Sequence, residues 1–307
     1  MANHFSKAYS FTTKVGLCTH LRNLAWFEDA SSDDFFPRCH RLGSDDEKDA
    51  FIDDYRITSA CNFLKLLIKH SNDQTTSGIY STVKTKSSIT LRATVRSRTQ
   101  RSPSCSAKSQ RSRSSLTSGE RRSMIGQVPS RAILLALRAC RQFIMCRNNE
   151  DIDGQYENGM LTDEDWDSLI GYYYQIIHDG STIEGGEEYV ERSEEMLKEM
   201  RELLPQLDLD GVRNVWIVKP GAKSRGRGIM CMDRLDDLLK LVSSTVKKEN
   251  RWIVQKYIES PLLIYNTKFD IRQWFLVTDW NPLTLWFYKD CYFRFCSQEF
   301  TLDNFEP

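Results

Sequence analysis

The chain has 307 residues and carries 42 Lys or Arg against 42 Asp or Glu, so its formal net charge is zero. This length allows a sizeable core and two subdomains, and the balanced charge excludes a uniformly basic protein. Its nine cysteines include no CxxC pair, which favours reduced intracellular thiols over a zinc site. The first residues form no apolar leader and no stretch is long enough to span a bilayer, so a soluble, cytoplasmic protein is expected.

An N-terminal subdomain is predicted over residues 1–76. Within it, Phe11–Leu17 is typical of a strand, Leu21–Phe27 indicates a helix, and apolar residues between Asp49 and His70 recur at helical spacing. Arg38 follows a Phe-Pro step. We interpret it as a surface arginine beside a proline turn, with a ligand-facing role as the alternative.

The composition changes over residues 77–127, where serines are mixed with eleven Lys or Arg against a single acid, Glu120. Such a segment buries too little apolar area to offset its ordering entropy, so we predict a disordered basic insert. RNA or an anionic surface could be its partner. Because Tyr80 is its only aromatic residue, it offers no base-stacking platform, and a solvated loop insert is the favoured interpretation.

Helices are predicted over residues 128–211. An apolar stripe runs along residues 130–145. Thr162 and Asp165 form a capping-box-like pair before a helix that reaches Ile177. A third helix is predicted over residues 193–204, and the pattern assigns no chemistry to this region.

A short apolar strand at residues 215–218 leads into Lys219-Pro220 and then into a glycine-punctuated loop with three cations, Gly221–Gly228. A second apolar run returns over residues 229–232, and Asp233 can cap a following helix. Glycines let backbone N–H groups approach phosphate oxygens, so the loop suits a polyphosphate. No Gly-Lys-Ser/Thr precedes a helix, which excludes a Walker loop, and an ordinary basic hairpin is the alternative.

An antiparallel sheet is predicted for the last third of the chain. Residues 252–258 form one strand, and residues 268–277 form a long strand that carries Lys268, Asp270 and Arg272 on one face. A row of two cations and one acid between apolar runs points to a charged ligand. A solvated sheet face is the alternative.

Four blocks of this chain, in order, resemble the signature blocks of the tubulin-tyrosine-ligase-like family. They are Trp216–Pro220, Lys223–Ile229, Gln255–Ile258 and Lys268–Arg272. The sequence of Phe275–Thr284 resembles the glycylase branch of that family. The resemblance implies an α+β, ATP-grasp fold, with a nucleotide-binding sheet over residues 212–307.

The resemblance also implies site residues. On the nucleotide side they are Lys219, Arg225, Gln255, Lys256, Tyr257, Ile258, Lys268 and Asp270. Among these, Lys219 would reach the α- and β-phosphates, and Arg225 with its loop would cover the triphosphate. Residues 255–258 would line the adenine through backbone groups, and Lys268 with Asp270 would hold the ribose or the nucleotide flank. The implied catalytic residues are Arg272 and Arg294, since a guanidinium fork suits a planar carboxylate.

The function that the resemblance implies is an ATP-dependent ligase. It would attach glycine to glutamate side chains of tubulin tails through an acyl-phosphate, with ATP and Mg²⁺ as cofactors. Tubulin tails, microtubules and glycine are the expected partners, without membrane or nucleic acid, in the cytoplasm, cytoskeleton, and cilium or axoneme. The acidic tails also suit the basic insert.

The family binds Mg²⁺ through an Asp and a Glu-x-Asn. Those ligands are expected beyond Asp303–Pro307, so we assign no metal ligand and expect a C-terminally truncated chain. A non-catalytic form that binds tubulin or nucleotide is the alternative function.

Overall fold

The computed structural model describes residues 4–83, 126–149, 159–221, 226–244, 252–303 and 305, and the side chains of these except 74–83 and 244. The helices are α1 (Tyr9–Thr12), α2 (Lys14–Arg22), α3 (Asp45–Val83), α4 (Arg131–Arg147), α5 (Asp163–Asp179), α6 (Val190–Leu203) and α7 (Leu235–Ser244). The strands are β1 (Cys39–Leu42), β2 (Gln127–Val128), β3 (Thr182–Ile183), β4 (Trp216–Pro220), β5 (Met230–Met232), β6 (Trp252–Lys256), β7 (Phe269–Arg272), β8 (Phe275–Trp280), β9 (Leu283–Phe287) and β10 (Tyr292–Phe295). This mixture confirms the predicted α+β class.

A four-stranded antiparallel sheet lies at the centre of the fold, in the order β1-β6-β4-β5. Side chains alternate between its two faces. One face, here called the core face, carries Leu42, Trp216, Val218 and Val254, which pack with Phe51 and Tyr55 of α3. The opposite face, here called the lysine face, carries Ile217, Lys219, Ile253 and Gln255, which stand opposite one another in the strand register.

Helices α3 to α6 form a second core. Their buried members include Phe63 and Leu64 of α3, Ile133 of α4, Leu169 of α5 and Met200 of α6. The structure confirms the helices predicted here, because each follows a clear apolar stripe. It also confirms the capping box of α5, in which Thr162 and Asp165 each bond the other's backbone N–H.

The N-terminal segment differs from its prediction. Residues 11–17, predicted as a strand, instead cover the end of α1 and the start of α2. Thr13 separates the two helices. It is the N-cap residue of α2, and its side chain accepts a hydrogen bond from the backbone N–H of Gly16 in the first turn of that helix. The helix predicted over residues 21–27 is also wrong, since α2 ends at Arg22 and only a 3₁₀ turn, Leu24–Trp26, follows.

Residues 269–295 form two separate ribbons, whereas β6 joins the central sheet. Strand β7 pairs with β10, and β8 pairs with β9, both antiparallel. The single long strand predicted over residues 268–277 is therefore wrong. The chain breaks at Gln273 and Trp274, where the Gln273 amide donates to the carbonyl of Tyr288 at 2.7 Å. Antiparallel pairing itself was predicted correctly.

Helix α3 reaches Val83, so the boundary predicted at residue 76 falls inside a helix. The rest of the predicted insert, through residue 125, lies outside the described residues, as does Arg225. Across the described ranges, no helix combines the length and the apolar character that crossing a membrane requires.

The Arg38 side chain is only 9% exposed, which makes its interpretation as a surface residue wrong. Its Nε donates to Asp54 at 3.1 Å, and its Nη1 donates to Asp210 at 3.0 Å. The carboxylates come from α3 and from the loop after α6, so they converge on Arg38 only when the fold closes. This network lies at the start of β1 and links the central sheet to the helices.

Candidate functional site

Lys219 lies near the end of β4, on the lysine face. Its Nζ donates to Oε1 of Gln255 at 2.5 Å, and the Nε2 of Gln255 donates to the carbonyl of Pro37 at 3.1 Å. The ammonium group is therefore held by the neighbouring strand, which is itself anchored to the loop before β1. Burial lowers the pKa of Lys219, and Lys14 and Lys268 lower it further.

Three lysines gather at this place, and we call Lys14, Lys219 and Lys268 the lysine cluster. The Nζ of Lys14 donates to the carbonyl of Pro220 at 3.2 Å. The Nζ of Lys268 lies 4.1 Å from the ring centroid of Tyr257, a cation–π contact. Besides burial, the largest influences on the pKa of Lys219 come from lysines and thiols, not from carboxylates. The cluster therefore favours an anionic ligand.

The glycine loop begins directly beside the cluster. Gly226 and Gly228 have φ values of 77° and 71°, a left-handed conformation that other residues adopt only with strain. The N–H of Ile229 donates to the carbonyl of Gly226 at 3.2 Å and closes the turn. Of the loop's three cations, only the exposed Arg227 is described. This turn, here called the glycine turn (residues 226–229), can bring backbone N–H groups close to phosphate oxygens.

Lys256 points away from the lysine cluster. Its buried Nζ donates to Glu259 Oε1 at 2.9 Å and to the carbonyl of Asp210 at 3.0 Å, on the core face. Its backbone N–H donates to the carbonyl of Arg38, and that of Tyr257 donates to the carbonyl of Val215. The Lys256 side chain thus stabilises the fold. An adenine-lining role for residues 255–258 stays a prediction that depends on the backbone groups not used in these bonds.

Asp270 and Arg294 face each other across the β7/β10 ribbon. The Nε and Nη2 of Arg294 donate to the two carboxylate oxygens at 2.8 and 2.5 Å. These hydrogen bonds lower the pKa of Asp270. Arg272 is exposed two residues along β7. The structure therefore brings Asp270, Arg272 and Arg294 together, although Arg294 is already engaged by a carboxylate. Their ribose-binding and catalytic roles stay predictions.

Two residues of this region were missed from the sequence. Lys14 lies in the segment predicted as a strand, and no motif marks it. Glu259 is buried and accepts hydrogen bonds from the backbone N–H groups of Val212, Arg213 and Val215, besides the Lys256 ammonium. Its only signal in the sequence is its position three residues after a lysine on an apolar strand.

The ligand chemistry of the site can be compared with the groups that the resemblance implies. The lysine cluster and the glycine turn fit the phosphates of ATP. For Mg²⁺, no group of three His, Cys, Asp or Glu within the residues that the structure describes could hold a metal ion.

The mixture of helices and antiparallel sheet agrees with the ATP-grasp class that the resemblance implies. The sequence profile of the tubulin-tyrosine ligase family matches residues 164–307 of the chain.

Three relatives place the similarity in the glycylase branch. The chain is 46% identical over 309 residues to tubulin monoglycylase TTLL3 of Mus musculus, covering 100% of this chain and 30% of the relative. It is 46% identical to tubulin monoglycylase TTLL3 of Danio rerio, covering 99% of this chain and 37% of the relative. It is 42% identical to protein monoglycylase TTLL8 of Mus musculus, covering 100% and 35%.

The match to mouse TTLL3 extends over the whole chain, including the basic segment of residues 77–127. The chain spans about a third of the length of the curated relatives it matches.

Proposed function

We propose that this chain forms the nucleotide-binding part of an ATP-dependent ligase that attaches glycine to glutamate side chains of tubulin tails. The observation that carries the proposal is the lysine cluster beside the glycine turn. The main charged neighbours of the partly buried Lys219 are lysines and thiols, and such a group is stabilised by a polyanion. The match to the family profile and the similarity to monoglycylases support the reaction class and the acceptor.

ATP, when bound, supplies the phosphoryl group that activates the acceptor carboxylate. Lys219, oriented by Gln255, holds the α- and β-phosphates. The glycine turn, with Arg225, covers the triphosphate, and residues 255–258 line the base. Lys268, braced on Tyr257, and Asp270 lie at the ribose flank.

Arg272 and Arg294 face the reacting carboxylate and the incoming amino acid. For Arg294 this role requires at least partial release from Asp270. Exchange of one carboxylate partner for another keeps its guanidinium paired throughout. Mg²⁺, microtubules as the partner and cytoskeletal or ciliary localisation belong to the same proposal.

Nucleotide binding by the 307-residue chain is the first test. Titration with ATP should show saturable binding, and Lys219→Met should weaken it by roughly tenfold or more, because one charge-assisted contact is typically worth about 1.5–3 kcal/mol. Lys240→Met, an exposed site on α7, is the matched control and should leave binding unchanged. Equal binding by wild type and Lys219→Met would contradict the assignment of the site.

Glycine transfer is the second measurement. The chain would replace the matching region of the mouse TTLL3 relative, and the chimera would be incubated with ATP, Mg²⁺, labelled glycine and tubulin. We expect label on tubulin tails, reduced by about 10²–10³-fold in Lys219→Met. ATP binding without label on tubulin would favour the non-catalytic alternative.

A further inference from the structure

We propose that Cys18 and Cys39 form a peroxide-sensitive dithiol site, in which the two buried thiols close to a reversible disulfide between α2 and β1. The inference is independent of the proposed function, because it concerns a modification of the chain and needs no nucleotide. It predicts that this pair oxidises in preference to another pair of neighbouring thiols, Cys61 and Cys140.

The first support is the contact between α2 and β1. Cys18 of α2 packs with Cys39 of β1 and Ile253 of β6 on the lysine face, and Val15 and Phe36 pack against this group. The side chains of Cys18 and Cys39 are hydrogen-bonded to each other. Two side chains that already bond to each other are close enough for the short approach that a disulfide requires.

The second support is a groove of about 1100 Å³ that reaches this pair. Cys39 lines the groove, together with Leu21 and Arg22 of α2 and Phe36 before β1. Cys39 keeps 7% of its surface exposed, and Cys18, at 1%, packs against it. A small neutral oxidant such as hydrogen peroxide can enter a groove of this size and approach the two sulfurs.

The third support is the difference in acidity between the two thiols. The hydrogen bond from Cys39 lowers the pKa of Cys18 and outweighs burial, and Arg22 and Arg41 lower this pKa further against a smaller effect of Glu47. The hydrogen bond to Cys18 raises the pKa of Cys39, and burial raises it further. Cys18 is therefore the thiolate, and Cys39 is the thiol that donates to it. A thiolate beside a second thiol is the arrangement of a nucleophilic and a resolving cysteine.

The reaction with hydrogen peroxide has two steps. The Cys18 thiolate attacks one peroxide oxygen, which forms a sulfenic acid and releases hydroxide, and the hydroxide takes up the proton that Cys18 has lost. The Cys39 sulfur then attacks the Cys18 sulfur, and the sulfenic hydroxyl leaves as water with the Cys39 proton. The two thiols lose two electrons and become a disulfide, while the peroxide is reduced to two waters. A dithiol reductant reverses the change by thiol–disulfide exchange.

Accidental proximity of two core thiols is the competing explanation, and Cys61 and Cys140 supply the comparison. Their Sγ atoms lie 3.9 Å apart between α3 and α4, and both residues are fully buried. The hydrogen bond to Cys61 and burial raise the pKa of Cys140, so this thiol stays protonated. Proximity alone would make both pairs equally reactive. A thiolate beside a groove makes only the Cys18–Cys39 pair reactive.

The experiment exposes the folded, fully reduced 307-residue chain to hydrogen peroxide at neutral pH, unfolds it in an alkylating reagent and maps its peptides without reduction. We expect a Cys18–Cys39 disulfide that dithiothreitol removes, with Cys61 and Cys140 recovered as thiols. In Cys39→Ser the hydroxyl still donates to the thiolate, so dimedone, a probe for sulfenic acid, should label Cys18. In Cys18→Ser, Cys39 should stay a thiol. Cys291→Ser, at an exposed thiol, should form the disulfide as wild type does.

A folded chain without the Cys18–Cys39 disulfide would overturn the proposal, and so would a disulfide that forms only after unfolding. A bond from either residue to Cys146, which lines the same groove, or equal oxidation of Cys61 and Cys140, would contradict it as well. If a serine variant fails to fold, which circular dichroism would show, the disulfide map of the wild-type chain decides alone. ATP binding plays no part in this measurement, so failure of the nucleotide site leaves its outcome unchanged.

Discussion

The two faces of the central sheet carry buried charges in opposite ways. On the core face, Lys256 is paired with Glu259, and the neighbouring Arg38 lies between Asp54 and Asp210. On the lysine face, Lys219 has an amide as its hydrogen-bond partner and other lysines among its main electrostatic neighbours. Paired charges on one side hold the fold together, whereas like charges on the other side are suited to a ligand. On this sheet we therefore expect charge pairing, together with burial, to separate the cations that stabilise the fold from those available to a ligand.

Removing the acid from the core face should have the largest effect. In Glu259→Gln, the Lys256 ammonium loses its buried carboxylate, and three backbone N–H groups lose a charged acceptor. We expect the free energy of unfolding to fall by about 3–5 kcal/mol, the usual cost of breaking a buried ion pair. Urea denaturation would measure it.

The control for this prediction is the exposed pair of Arg201 and Asp208. Asp208→Asn removes the carboxylate of a solvent-exposed ion pair and should lower the free energy of unfolding by no more than about 1 kcal/mol. Equal losses of unfolding free energy in Glu259→Gln and Asp208→Asn would show that the buried ion pair stabilises the fold no more than the exposed pair does.

Acid should weaken the same face through Asp54. Burial tends to raise the pKa of Asp54, but Arg38 and His40 outweigh it, so the pKa lies below its ordinary value. A carboxylate with a lowered folded-state pKa contributes stability above its unfolded-state pKa of about 3.9, and this stability is lost as the pH falls below that value. Unfolding measured between pH 6 and pH 3 should show the loss.

The matched variant for the acid prediction is Asp54→Asn. It should be less stable than wild type at pH 6 and should lose less stability between pH 6 and pH 3. An unchanged acid slope in Asp54→Asn would assign the acid sensitivity to other carboxylates.

The smallest effect on stability is expected on the lysine face. Lys219→Met removes a partly desolvated charge from beside Lys14 and Lys268, so we expect the free energy of unfolding to stay the same or rise by up to about 1 kcal/mol. Nucleotide binding should fall in the same variant. If Lys219→Met lowered the free energy of unfolding by several kcal/mol without ligand, the lysine face would stabilise the fold as the core face does, and the contrast would be wrong.

Local signals accounted for most of what the sequence predicted correctly. The helices from α4 to α7 follow apolar stripes, and the α5 capping box lies within four residues of chain. Lys219 and Lys268 were assigned to the nucleotide site because each lies in a recognisable block, and their roles stay predictions. These features depend on neighbours in sequence, so they are visible without the fold.

The errors concern contacts between distant residues. Arg38 has the pattern of a surface residue because its second carboxylate, Asp210, is far away along the chain. The break between β7 and β8 depends on which strands pair, and their periodicity alone does not show it. Lys14 acquires its position only when α2 packs on the lysine face, which no pattern within residues 11–17 could indicate.

The pairing of β1 with β6 also determines when the central sheet can form during translation. Leu42 of β1 finds its partner in Trp252 of β6, so β1 has no neighbour in the sheet until β6 has been translated. At a typical 5–20 residues per second, a ribosome takes roughly 10–40 s to cover that distance. Throughout this interval the nascent chain exposes an unpaired strand edge, which is a template for association with other chains. Chaperone dependence of the newborn protein should therefore end only after β6 leaves the exit tunnel.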